Sequence, residues 1–294
     1  MSDPRPRRSV LYVPGSNTRA QAKARTLPVD ALVFDLEDSV ADDVKPQARE
    51  QVIAEILKGG FGHREVVMRV NAARTEYFEE DMAAAVKARP NAVLVSKVES
   101  IDEIFAAERH LRGRPETQGI TLWAMVETAR GLLEIASIAA SVRKPEGQRL
   151  RGLVLGTNDI VRETAVKGGG DRTPVLPWLS MAVLAARAEK LFVLDGVYND
   201  FANVTGFEAE CAQGRALGMD GKTIIHPNQV EAANHYFAPT EAEVAEAREI
   251  IHAFSQPENA GRGVIAINGR MVERLHATIA ARTLAMADMI SAHS

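Results

Sequence analysis

Short apolar runs alternate with longer amphipathic segments along most of this chain. Eight of the apolar runs are three to six residues long and are rich in β-branched side chains, which is typical of β-strands. The predicted strands are 9–13, 31–36, 66–70, 92–96, 121–126, 152–155, 192–194 and 223–225.

Between most of these strands the apolar positions follow a helical spacing. The predicted helices are 20–26, 45–57, 77–88, 101–111, 131–142, 179–189 and 207–217. Alternation of strand and helix predicts parallel strands with helical crossovers. Eight units in about 230 residues favour a closed (β/α)8 TIM barrel, with an open doubly wound sheet as the alternative fold.

The pattern changes after the eighth strand. A helix is predicted over 241–254, a turn or hinge over 257–263, a short strand over 264–267, a turn at Asn268-Gly269 and a last helix over 271–290. We therefore divide the chain into a barrel domain, 1–238, and a C-terminal helical extension, 239–294. The extension either caps one end of the barrel or acts as a lid.

The composition of the chain excludes several classes of partner. The 294 residues are 46% hydrophobic, with a formal charge of −4, so a large core is expected and nucleic acid is not an expected partner. No apolar run approaches the roughly 20 residues that span a bilayer, and the first residues lack a secretion signal, so we expect a cytoplasmic protein without a membrane partner. The single cysteine, Cys211, receives no catalytic role.

Polar residues follow nearly every predicted strand, where a barrel of this kind builds its active site. They are Tyr12, Asp35, Glu37, Asp38, Arg69, Asn71, Lys97, Glu99, Glu127, Asp159, Asp195 and His226. Glu127 and Asp159 follow the fifth and sixth strands, so they should emerge side by side and could hold a hard cation such as Mg²⁺. Either acid alone is more typical of a helix N-cap or a solvated loop; the pair favours a metal site.

Arg69 could bind a substrate carboxylate through two parallel hydrogen bonds. Its alternative role is an ion pair with Asp35 or Glu37. We interpret Asp35, Glu37, Asp38 and Lys97 as supporting residues around the metal and Arg69. A glycine-bearing loop, 167–172, follows Asp159 and is interpreted as a flexible edge of the site, while a second such loop spans 144–149.

As an ordered set, several motifs closely resemble the citrate lyase beta-subunit-like family, within the HpcH/HpaI-type aldolases. The similarity runs from Arg8 to about residue 285. The motifs are 8–15 (RSVLYVPG), 35–40 (DLEDSV), 69–71 (RVN), 97–100 (KVES), 156–159 (GTND) and 225–227 (IHP). That family includes malyl-CoA, β-methylmalyl-CoA and citramalyl-CoA lyases and malyl-CoA thioesterases.

The resemblance implies an Mg²⁺-dependent barrel enzyme, commonly a homotrimer or a dimer of trimers, that acts on an acyl-CoA thioester. Glu127 and Asp159 match the family's metal ligands, and Arg69 matches the arginine that binds the 2-oxo acid. Positions that contact substrate or coenzyme A in malyl-CoA lyases correspond to Tyr12, Lys23, Asn158, Ile225 and His226.

One position departs from the family pattern. In the lyases an aspartate of the C-terminal lid enters the neighbouring subunit's active site, whereas here the matching segment, 269–273, ends in Glu273. The resemblance predicts carbon–carbon cleavage of a malyl-CoA-like thioester to a 2-oxo acid and an acyl-CoA, with Glu273 as acid–base. Hydrolysis of malyl-CoA at the same metal site is the alternative, and an accessory citrate lyase beta-like subunit is a third possibility.

Overall fold

Eight parallel strands close into a barrel in the structure, a computed structural model that describes residues 5–167 and 172–293. Each strand pairs with the next in sequence, and β8 pairs with β1 to complete the ring. The strands are β1 Ser9–Pro14, β2 Ala31–Asp35, β3 Glu65–Val70, β4 Ala92–Val95, β5 Thr121–Val126, β6 Leu150–Leu155, β7 Phe192–Asp195 and β8 Gly221–Ile224. The predicted TIM barrel is therefore confirmed.

Helices connect the strands around the barrel. They are α1 Thr18–Ala24, α2 Lys45–Lys58, α3 Phe78–Ala88, α4 Ile101–Leu111, α5 Ala129–Leu133, α6 Ile135–Ala140, α7 Thr157–Thr164, α8 Leu176–Ala188, α9 Val204–Leu217 and α10 Val230–Tyr236. Two of these, α7 and α10, were not predicted, because both are short; α7 begins with turn-forming residues, and α10 directly follows Pro227-Asn228-Gln229. The single helix predicted over 131–142 is divided into α5 and α6 at Glu134.

The barrel interior is filled by alternate residues of the strands, since successive side chains of a strand point to opposite faces. This core contains Val10, Ala31, Val33, Val67, Ala92, Leu94, Trp123, Met125, Val154, Phe192 and Leu194. Trp123 and Phe192 meet edge to face with ring centroids 4.9 Å apart. The next inward position on several strands is polar, and it lies at the carboxyl end of the barrel.

The chain divides into two compact units, Arg7–Tyr236 and a second unit from Phe237 onwards that also includes the described residues before Arg7. The second unit contains α11 Glu241–Ser255, β9 Val264–Ile267, β10 Arg270–Glu273 and α12 Arg274–His293. Thr240 and Glu243 form a capping box at the start of α11. Within the described residues, no helix combines the length and apolar composition needed to cross a membrane.

The start of the last helix was predicted wrongly. Residues 271–273 belong to β10, which pairs antiparallel with β9. Asn268 and Gly269 both have positive φ, 51° and 77°, as a tight two-residue hairpin turn requires. Because the hairpin supplies a backbone partner for Met271–Glu273 that the helical spacing could not reveal, helix formation is delayed to Arg274.

Candidate metal and substrate site

The polar residues predicted after strands two to five lie together at the carboxyl end of the barrel. Asp35 follows the inward-facing Val33, Arg69 follows Val67, and Glu127 follows Met125, each two residues later. Strand alternation therefore directs all three side chains to the same region. With Glu37 and Lys97 they form a group of five that we call the rim cluster.

Arg69 lies at the centre of the rim cluster and is buried. Its Nε and Nη2 each donate to one oxygen of Asp35, both at 2.6 Å, and its Nη1 lies 2.9 Å from Glu37 Oε2. Its guanidinium lies over the ring of Tyr12, 4.8 Å from the centroid. The ion pairs that were the alternative role for Arg69 are therefore present.

These contacts determine the protonation states of Asp35 and Arg69. Burial alone would raise the pKa of Asp35, but the charge and hydrogen bonds of Arg69 hold it below its usual value. The same attraction raises the pKa of Arg69 despite burial. Both groups are therefore ionised at neutral pH, and Arg69 is held in one orientation.

Lys97 connects the loops after β2, β4 and β5. Its Nζ donates to Glu37 Oε1 and lies 3.4 Å from Asp38 Oδ1 and 3.9 Å from Glu127 Oε1. Burial would lower the pKa of Lys97, but Glu127 and Glu37 raise it above its usual value. Asp38 is exposed, so its carboxylate lies at the edge of this group.

Glu127 is fully buried, and its two carboxylate oxygens differ in their hydrogen bonding. Its Oε1 accepts a hydrogen bond from the backbone N–H of Lys97 at 3.0 Å, whereas Oε2 has no hydrogen-bond partner among the described residues. Burial, followed by the negative charge of Glu37, raises the pKa of Glu127 to about 8, against the opposing effects of Arg69 and Lys97. A buried carboxylate oxygen without a partner is costly unless a cation or donor occupies the space beside it.

Asp159, the other predicted metal ligand, carries a negative charge that also contributes to the raised pKa of Glu127. It sits in the first turn of α7 and forms an ion pair with Arg162 one turn later. Gly156, which directly follows β6, packs closely against Glu127, because an added Cβ would overlap the Glu127 side chain.

These residues fit a divalent cation. The rim cluster holds three acids and two bases, and Asp38 and Asp159 add further negative charge at its edge. Among the described residues no group of three or more acids, histidines or cysteines has the arrangement of a metal site. Two carboxylates suffice for Mg²⁺, which usually keeps several waters and substrate oxygens as its other ligands.

The remaining predicted substrate contacts lie on loops and are more exposed. Lys23 is an exposed residue in the last turn of α1, and Ile225 directly follows β8. Asn158 exchanges two hydrogen bonds with Asn199, at 3.1 and 2.9 Å. The His226 ring stacks on the ring of Phe201 with 4.6 Å between centroids. His226 is also the N-cap residue of the short 3-10 helix 227–229.

Glu273 lies in the second unit, at the end of β10, and is exposed. Its backbone N–H donates to His276 Nδ1 at 2.9 Å, and no hydrogen bond to its carboxylate is found among the described residues. Residues 168–171 of the predicted glycine loop lie outside the described residues.

Asp195 does not join the rim cluster. Together with Arg172, Glu210 and Lys222 it forms a second buried group, which we call the β7–β8 cluster. Its two oxygens accept from Arg172 Nη1 at 2.7 and 2.8 Å, and Oδ2 also accepts from Lys222 Nζ at 3.2 Å. Lys222, fully buried in β8, also donates to Glu210 at 2.6 Å. Sequence reasoning missed this cluster, although a lysine inside an apolar strand is its visible signal.

Comparisons with known protein families place the chain in one family. The model of the HpcH/HpaI aldolase/citrate lyase family matches residues 8–227, three quarters of the chain. The chain belongs to this family. A second model, for carbon–carbon bond lyases of the TIM-barrel fold, matches residues 171–291.

Relatives within the HpcH/HpaI family have different activities. The chain is 44% identical to a (3S)-malyl-CoA thioesterase of Cereibacter sphaeroides over 98% of its length and 96% of that protein. It is 33% identical to the citrate lyase subunit beta of Escherichia coli over 92% of its length and 89% of that protein. The crystal structure of CitE from Mycobacterium tuberculosis in complex with magnesium, acetoacetate and coenzyme A superposes with a TM-score of 0.74 at 27% identity, covering 95% and 97% of the two chains.

Proposed function

We propose that this protein is an Mg²⁺-dependent enzyme that hydrolyses the thioester of malyl-CoA or a close analogue to malate and free coenzyme A. The observation that carries the choice of hydrolysis is the 44% identity to a malyl-CoA thioesterase over nearly the whole of both chains. Hydrolysis was the alternative in the sequence analysis, and the thioesterase similarity now moves it ahead of carbon–carbon cleavage.

The metal site of this proposal consists of Glu127 and Asp159. The unpartnered, buried Oε2 of Glu127 supports it, as does the excess of acids around that atom. Bound Mg²⁺ would supply positive charge that polarises a substrate carbonyl and lowers the pKa of a nearby water. The magnesium and coenzyme A in the CitE complex agree with this assignment.

Arg69 binds the acid end of the substrate in this proposal. Asp35 fixes the guanidinium with two short hydrogen bonds, so Arg69 loses little conformational entropy when a ligand arrives. The second N–H of Nη2 makes no hydrogen bond to any described residue and can donate to a carboxylate oxygen. Tyr12, stacked on the guanidinium, closes the apolar side of this subsite.

The outer part of the substrate would lie along the exposed loops. We assign coenzyme A and substrate contacts to four residues in α1, in the first turn of α7 and directly after β8: Lys23, Asn158, Ile225 and His226. The water oxygen bonds to the thioester carbonyl carbon, the carbon–sulfur bond breaks, and one proton of the water passes to the departing coenzyme A thiolate.

Carbon–carbon cleavage is the second candidate, favoured by the similarity to the citrate lyase beta subunit. In that reaction Glu273 would protonate the enolate of the acyl-CoA product, and in the reverse direction it would remove a proton from the acyl-CoA methyl group. We further propose that residues 239–294 act as a lid, that the protein is a homotrimer or a dimer of trimers, and that it functions in the cytoplasm.

Incubation with malyl-CoA and Mg²⁺ tests the proposal. We expect malate and free coenzyme A in equal amounts, with no product when a chelator replaces Mg²⁺. Glyoxylate and acetyl-CoA would instead identify a lyase, and turnover unaffected by chelator would contradict the metal site.

The variant Glu273→Ala separates the two reactions further. If the protein is a lyase, the variant should lose turnover while its Mg²⁺ affinity stays nearly unchanged. Full lyase activity in this variant would exclude the acid–base role of Glu273.

A further inference from the structure

Lys97 has an unusual backbone conformation for its place in the fold. Five non-glycine residues of the described chain have positive φ: Arg89, Lys97, Ala165, Lys190 and Asn268. Four of them follow a helix or form the β9–β10 turn, where a left-handed residue is common. Lys97, at φ 51°, instead follows a strand, and its Cβ makes this conformation unfavourable.

The left-handed residue turns one peptide N–H out of the sheet. Val95 pairs with Ala124, and the backbone N–H of Val98 donates to the carbonyl of Met125 at 2.9 Å, so the β4–β5 pairing resumes after an interruption of two residues. Within the interruption, the N–H of Lys97 donates to Glu127 Oε1 at 3.0 Å. One carboxylate oxygen of Glu127 is thereby fixed, and the other, Oε2, remains buried without a protein partner.

Neighbouring contacts hold this arrangement on both sides. The hydroxyl of Ser96 donates to the carbonyl of Val70 at 2.7 Å, and Arg74 Nη1 donates to the carbonyl of Lys97 at 3.1 Å. The Lys97 ammonium donates to Glu37 and Asp38 on the loop after β2 and lies farther, 3.9 Å, from Glu127 Oε1. The hydrogen bond of the backbone to Glu127 is therefore tested separately by comparing variants that all lack the ammonium.

We propose that Lys97 is a positioning residue whose left-handed backbone fixes Glu127 Oε1 and so presents Oε2 to the divalent cation. The ammonium has a separate role, neutralising the acids after β2. This inference rests on the proposed metal site, and it assigns to one peptide group the orientation of a metal ligand. A group that orients a metal ligand typically changes metal affinity 10–100-fold when it is lost.

Substitutions with opposite backbone preferences test the proposal. Lys97→Gly and Lys97→Val both remove the ammonium, but glycine favours positive φ and valine strongly disfavours it. We expect the dissociation constant for Mg²⁺, measured by titration calorimetry without substrate, to be at least about tenfold higher for Lys97→Val than for Lys97→Gly. A ratio below about threefold would overturn the inference.

Arg89 supplies a matched control, because it has φ 56° at the end of α3, at the opposite end of β4 from Lys97. Arg89→Val should lower thermal stability relative to Arg89→Gly and leave Mg²⁺ affinity the same in both. An equal affinity ratio at Arg89 and Lys97 would overturn the inference, since general strain would then explain both.

If Lys97→Val does not fold, Lys97→Thr against Lys97→Asn makes the same comparison, because asparagine tolerates positive φ and threonine does not. Failure of the proposed metal site is distinguishable from failure of the inference. In the first case the wild-type protein itself binds no Mg²⁺; in the second, the wild type binds Mg²⁺ and the paired variants do not differ.

Discussion

The rim cluster and the β7–β8 cluster both bury several charges, but they differ in whether those charges balance. The β7–β8 cluster has two acids and two bases, and both oxygens of Asp195 are occupied. The rim cluster has three acids and two bases, and one oxygen of Glu127 is left without a partner. Burial of charge alone therefore does not identify a functional site; we propose that the uncompensated buried acid does.

The pKa directions follow the same division. Burial would raise the pKa of Asp195, but Lys222 and Arg172 hold it below its usual value. Burial and Glu37 raise the pKa of Glu127 to about 8. In one cluster the protein supplies the counter-charge, and in the other we propose that the metal supplies it.

The largest expected effect comes from removing a cation of the balanced cluster. Lys222→Met leaves two buried acids with Arg172 as their remaining cation, so we expect a loss of about 3–5 kcal/mol in the free energy of unfolding, measured by urea denaturation. Lys87→Met is the control, since Lys87 is exposed and only 3.5 Å from the exposed Glu50, and should change stability by less than about 0.5 kcal/mol. A loss below about 1 kcal/mol for Lys222→Met would show that this cluster is not structural.

Removing the unpartnered acid, Glu127, should lower activity and Mg²⁺ affinity without lowering stability. Glu127→Gln keeps the shape but removes the charge that binds the cation, so activity should fall by about 10²–10³-fold and Mg²⁺ affinity with it. The unfolding free energy without metal should not fall, because an uncompensated acid is removed. Glu50→Gln is the matched control on α2 and should leave both measurements unchanged; a stable Glu127→Gln variant with wild-type Mg²⁺ affinity would contradict the site.

The smallest effect, taken per pH unit, is the pH dependence of stability without metal. The folded pKa of Glu127 is about 8 and the reference value is 4.5, so between these values the folded state binds a proton that the unfolded state has released. Stability from this group is therefore lost as pH rises through that window, by at most about 1.4 kcal/mol per pH unit. Asp195, whose pKa is lowered from 3.8, loses its contribution only as pH falls below that value.

Urea denaturation at pH 5.5 and pH 8 in the presence of chelator measures this difference. The wild type should lose more stability on going to pH 8 than Glu127→Gln, and saturating Mg²⁺ should reduce the difference. An identical pH dependence in the two proteins would mean that Glu127 is already ionised in the metal-free fold.

Much of the fold was predictable because each strand and helix carries its own local signal. The eight strands were placed correctly to within about two residues at either end, since buried parallel strands read as apolar runs. Helix α7 and strand β10 were not predicted. The first begins in a Gly-Thr-Asn sequence typical of turns, and the second depends on pairing with β9 rather than on its own residues.

The sequence by itself determined the barrel, the family resemblance and the set of acids and bases that follow the strands, because alternation and motif order are local properties. The tertiary structure decided which of those charges meet. Most residues of the barrel strands are buried, so the sequence could not show that Asp35, Arg69 and Glu127 point inward while Asp195 points to Lys222 and Arg172. Strand register and closure of the ring fix these directions, and through them the Glu127 oxygen that has no hydrogen-bond partner among the described residues.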